Sequence, residues 1–68
     1  MSIYKVIEVI GTSPKSWDEA GKNAVEHAAK SLKELRVAEV VDQDLRLDGG
    51  KVVEYRTKMK ISYKYDDH

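Results

Sequence analysis

The chain has 68 residues, twelve basic and twelve acidic side chains that cancel to zero net charge, and no cysteine. A domain near this size buries only roughly 60% of the surface its unfolded chain exposes, so it needs a disulfide, a metal or partner subunits. Without cysteine there is no disulfide and no thiolate metal site, and His27 and His68 lie too far apart for an obvious zinc site, which leaves self-association.

Neutrality argues against a nucleic-acid partner, and the longest apolar run is too short to cross a bilayer. Met1-Ser2-Ile3-Tyr4 lacks the basic-then-apolar order of a signal peptide. The expectation is one cytoplasmic domain over residues 1–68, with neither a nucleic-acid nor a membrane partner.

Residues 2–10, SIYKVIEVI, are β-branched and aromatic and predict a first strand. Ile3, Ile7 and Val9 share one face with Lys5, and Tyr4, Val6 and Ile10 the other with Glu8, so burial on both faces is expected. Gly11-Thr12-Ser13-Pro14 breaks it. Ser16-Trp17-Asp18-Glu19 has capping-box spacing: Ser16 accepts from the Glu19 amide while the Glu19 side chain reaches back to Ser16.

Trp17, Ala20, Ala24, Ala28, Leu32 and Leu35 then recur at helical spacing, widened by Val25 and Ala29, and predict an amphipathic helix of about five turns. Gly21 inside it marks a close backbone contact. Residues 36–47 predict a second strand, with Val37, Glu39, Val41, Gln43, Leu45 and Leu47 on one face and Ala38, Val40, Asp42, Asp44 and Arg46 on the other.

Asp48-Gly49-Gly50 is a hairpin turn. Residues 51–65 alternate cleanly as a third strand, with Val53, Tyr55, Thr57, Met59, Ile61, Tyr63 and Tyr65 facing one way and Val52, Glu54, Arg56, Lys58, Lys60, Ser62 and Lys64 the other. The fold class is α+β in the order β-α-β-β. The last strand can extend about 50 Å against about 30 Å for a helix of about 20 residues, so part of the sheet, including Val37 and Val52, must meet solvent, a ligand or another subunit.

Three blocks carry a resemblance. Val9-Ile10-Gly11-Thr12-Ser13, Ala38-Glu39-Val40-Val41-Asp42-Gln43 and Tyr55-Arg56-Thr57-Lys58-Met59-Lys60-Ile61, in this order and at this chain length, resemble the dodecin family over about residues 3 to 65. The resemblance implies a three-stranded antiparallel sheet wrapped around one long helix, and a hollow homododecamer of cubic symmetry. It implies storage and scavenging of flavins without turnover.

In most members of that family flavins bind in pairs on two-fold axes, stacked on a Trp at the start of strand two. A Gln in strand three bonds the polar ring edge. The matching positions here are Val37 and Arg56. Valine has no π-face to stack, and arginine donates but cannot accept from the flavin imide N–H. Trp17 lies at the helix start and cannot substitute by position. Asp42 is retained, at a position that lies beside the ligand's side chain in flavin-binding members. The chain therefore resembles the non-aromatic branch, to which calcium is assigned.

Asp42 and Asp44, with Cβ atoms about 7 Å apart on one strand face, and Glu39 are the candidate ligands for calcium or magnesium, which favour oxygen donors. Their bland reading is solvated carboxylates, because no EF-hand spacing is present. Glu8 and Glu54 join Glu39 as acids that could form rings around a symmetry axis. Val37 reads as an interface residue or a pocket wall. Arg56 reads either as a grip for phosphate or carboxylate or as a cross-strand ion pair with an acid such as Asp42 or Glu39.

His27, at the edge of the apolar stripe, reads as structural. Lys58, Lys60 and Lys64 form a basic strand face without the interleaved aromatics that nucleic acid stacks on. No nucleophile–base set or phosphate loop appears, so a non-enzymatic protein is expected.

Overall fold

The computed structural model describes residues 2–65, and within them four elements follow the expected order: β1 (Tyr4–Ser13), α1 (Trp17–Ala28), β2 (Leu35–Asp48) and β3 (Lys51–Lys64). The sheet is antiparallel in the order β1-β3-β2, so the last strand is the central one. The β2–β3 hairpin closes through Gly49 and Gly50 at φ 59° and 77°, a pair of positive values that suits a two-residue hairpin turn and that glycine adopts without penalty. His68 lies outside the described residues.

Ser16 caps α1 as expected, its hydroxyl accepting from the Glu19 amide at 3.0 Å. The reciprocal half of the capping box is absent: the Glu19 carboxylate accepts from the Ser13 hydroxyl, and that hydroxyl in turn accepts from the Lys15 and Ser16 amides. A buried serine at the end of β1 thus ties the strand to the helix start.

The helix is shorter than the periodicity suggests. It ends at Ala28, and hydrogen bonds from Lys30 to His27 and from Ser31 to Ala28 tighten the chain into i→i+3 turns. Glu34 then turns it in the left-handed region at φ 63°, and Leu35 opens β2 opposite Tyr63 instead of closing the helix stripe.

The close backbone approach lies at Gly11, not Gly21. A Cβ on Gly11 would stand 1.9 Å from the Ala20 carbonyl oxygen and 2.8 Å from Ala24 Cβ, whereas one on Gly21 would meet Met59 Sδ at 3.5 Å, an ordinary contact. Gly11 therefore lets α1 settle onto β1 and β3, and the helix barely touches β2.

The resulting core is small. Ala20, Met59 and Ile61 are its fully buried apolar residues, joined by Ser13 and Thr57, whose hydroxyl donates to the Trp17 carbonyl at 2.8 Å. Expected burial of both β1 faces is not met: Tyr4, Val6 and Ile10 are exposed, because the helix covers only the face carrying Ile7 and Val9.

Candidate functional site

Buried Thr57, Met59 and Ile61 identify the helix-facing side of β3, and directly paired residues in an antiparallel sheet share a face. The opposite face therefore carries Glu54, Arg56, Lys58, Lys60 and Ser62 of β3 with Val6, Glu8, Ile10 and Thr12 of β1. On β2 the register shifts between Val40 and Asp42, so Val41 is an extra, bulged residue. This breaks the alternation expected for the strand. Ala38, Val40, Gln43 and Leu45 turn toward the helix side, while Val37, Glu39, Asp42, Asp44 and Arg46 all stand on the outer face.

The bulge thereby assembles a charged lattice. Arg56 lies opposite Asp44 and grips it bidentately, Nε donating to Oδ1 at 2.6 Å and Nη2 to Oδ2 at 3.0 Å. Of the two alternatives for Arg56, the structure shows the cross-strand ion pair, with Asp44 rather than with Asp42 or Glu39 as partner. Arg46 donates to Glu54 at 2.9 Å, and Lys58 Nζ lies 3.4 Å from Glu8.

Hydrogen bonding to Arg56 holds the Asp44 carboxyl below its ordinary range, against a smaller opposing effect of desolvation, and Arg46 does the same for Glu54. The Asp44 carboxylate in turn raises Arg56.

Asp42, opposite Lys58, makes its one described hydrogen bond by accepting from the Gln43 amide at 2.9 Å, and has no ion pair among the described residues. Ile10, Asp42, Asp44, Arg56 and Lys58 line a shallow cleft of about 130 Å³. That is below the roughly 300 Å³ at which pockets for drug-sized ligands begin. Trp17 supports the cleft from the other side of the sheet: its indole N–H donates to the Asp44 carbonyl at 3.0 Å, and its ring meets Tyr55 edge-on at 5.2 Å.

Asp42 and Arg56 thus line one cleft. Val37 does not join them within one chain. It pairs with Ser62, six residues from Arg56 along β3 or about 20 Å, and is 60% exposed. Glu39 lies two positions away from it opposite Lys60.

Among the described residues no three His, Asp or Glu side chains stand together as a metal-ligand set. The residues do not fit a flavin either: Val37 offers no ring, and Arg56 is engaged by Asp44. The sequence reading missed Asp44 as the partner of Arg56. Its only trace is the adjacent apolar pair Val40-Val41, which interrupts strict alternation.

The Dodecin family model matches residues 3–66. This chain belongs to the dodecin family. Calcium dodecin from Mycobacterium tuberculosis is 47% identical over 64 residues, covering 94% of this chain and 90% of its relative. A crystal structure of that organism's calcium dodecin, described as calcium chelating with a novel calcium-binding site, superposes at a TM-score of 0.86 with 44% identity over 97% of this chain and 94% of the other. Dodecin from Streptomyces davaonensis superposes at 0.91 with 30% identity and 97% of each chain covered. That from Streptomyces coelicolor superposes at 0.92 with 31% identity, over 98% of this chain and 96% of the other. The α+β order and the sheet around one helix are those of the dodecins.

Proposed function

We propose that the chain is a non-catalytic binding and storage protein of the dodecin type, one cytoplasmic domain that works as a homododecamer. The observation that carries this reading is the bareness of the chain on its own. Its radius of gyration is 13.9 Å, against about 11 Å for a compact domain of this length. Every residue of β2 except Leu35 is exposed, including Val37, Val40, Val41, Leu45 and Leu47. So small a core with so much exposed apolar strand calls for cover by further copies.

Light scattering tests this: the expected mass is that of twelve chains, and a monomer or dimer at micromolar concentration refutes it. Titration with riboflavin, followed by its fluorescence, is expected to show weak or no quenching. Val37→Trp with Arg56→Gln is expected to restore tight binding, as a second chain brings one residue's strand end to the other's.

The 47% identical calcium dodecin favours a divalent cation, calcium or magnesium, as the ligand. Asp42 is the best-placed donor because it has no ion pair among the described residues, whereas both Asp44 oxygens are taken by Arg56. Glu39 follows. Among the described residues no three-residue ligand set stands together, so the proposed shell draws on several chains and on water. Binding only to the assembled state raises its melting temperature by mass action. Calcium is expected to stabilise the wild type, a chelator to reverse this, and Asp42→Asn to lose the effect. An unchanged melting temperature with chelator rules out a structural ion.

A further inference from the structure

We infer that Asp44 sets the ligand class of the outer-face cleft, by occupying the side-on Nε/Nη2 edge of Arg56 and so biasing the cleft against anions and toward neutral or cationic ligands. This rests on the cleft's being the ligand site. A guanidinium recognises phosphate and carboxylate through two parallel N–H donors. Arg56 has committed its Nε and Nη2 to the two Asp44 oxygens. The cation beside it, Lys58, stands 3.4 Å from Glu8 and across the sheet from Asp42.

The two cations lining the cleft are thus matched by its two carboxylates, and Glu8 and Glu54 flank it from β1 and β3. An incoming anion would find the guanidinium's side-on donors spent and two carboxylates beside it. A cation would find Asp42 with no ion pair among the described residues. The pair is also held from behind, since the Trp17 indole fixes the Asp44 peptide through its carbonyl.

Removing that charge converts the cleft. In Asp44→Asn, Arg56 and Lys58 outnumber Asp42, and the side-on edge of Arg56 is open to a tetrahedral anion. The test compares melting temperatures in inorganic phosphate and in chloride at matched ionic strength, with chelator present and assembly mass checked by light scattering. Wild type is expected to melt at the same temperature in both. Asp44→Asn is expected to gain a few degrees in phosphate by mass action, Asp44→Glu to stay blind, and Asp44→Asn with Arg56→Gln to lose the gain.

A phosphate response of the wild type equal to that of Asp44→Asn overturns the inference, and so does no response of Asp44→Asn. Asp44→Ser carries the same expectation should Asp44→Asn fail to assemble. The riboflavin titration of the Val37→Trp, Arg56→Gln chain contains no free Arg56 edge, so it fails or succeeds independently and separates the location of the site from its specificity.

Discussion

β1 and β2 flank the same central strand with the same antiparallel pairing, yet they live in different surroundings. β1 carries Gly11 and Ser13 into full burial under α1, and half-buries Ile7 and Val9. β2 is hydrogen-bonded along its length but leaves all but its first residue exposed. The difference lies in one missing Cβ. Gly11 admits the Ala20 carbonyl, so the helix leans to β1 and leaves β2 bare. Ladder hydrogen bonds fix register, but burial follows where the helix sits. The β1 side holds the chain's own core, and under the proposed assembly the β2 side is the one left to join chains.

The most damaging way to probe that division is Gly11→Ala. Its Cβ collides with backbone, which cannot rotate away, so a loss of about 3 kcal/mol or more is expected in denaturant unfolding. Gly21→Ala, with ordinary clearance and a helix-propensity gain of up to about 1 kcal/mol, is expected to be near neutral or stabilising.

A second pair separates folding from assembly. Ile61→Ala, at 1% exposure, is expected to cost about 3 kcal/mol of stability while leaving the assembly mass unchanged. Val37→Asp is expected to release smaller species in light scattering with its secondary structure retained. If both substitutions moved the same observable, the division between the two sides would be wrong.

The smallest expected effect is acidic. Asp44 and Glu54 titrate below their ordinary values of 3.8 and 4.5 in the folded chain. Each therefore contributes stability that is fully present above that ordinary value and is lost as pH falls through the lowered folded one. Melting temperature is expected to decline below about pH 4.5, more gently in Asp44→Asn. An identical decline in that variant would show the Asp44–Arg56 pair to be without weight. Asp44 is solvent-exposed and Glu54 half-buried, and water screens both pairs, so the slope is shallow.

Much of this was legible in the residues. The clean alternation of 51–65 marked the two faces of what is the central strand, Gly49-Gly50 its turn, and Ser16 the helix start. What escaped was set by tertiary contact. The helix ends at Ala28 without a glycine to announce it, and Glu34 takes the left-handed turn that a glycine would have signalled. The bulge at Val41 carries no glycine either, yet it moves Val37 and Glu39 to the face of Asp42 and Asp44. Asp42 and Arg56 were found from family position. The ion pair that governs Arg56 depended on a register shift whose one local trace is the apolar pair Val40-Val41.

The strand order has a consequence for how the molecule is made. β3 is the partner of both other strands and the last of the four elements to be synthesised. The hairpin can zip from Asp48 opposite Lys51, but β1 must close a long loop, from Ser13 opposite Tyr55 to Tyr4 opposite Lys64. Local closure costs less entropy than distant closure, so the hairpin is expected to form first and serve as template, and the first strand made to be the last to find its place. A nascent chain lacking Ile61–Lys64 has no partner for Tyr4–Ile7 on one side or Leu35–Ala38 on the other, and both edges stay open until those few residues arrive.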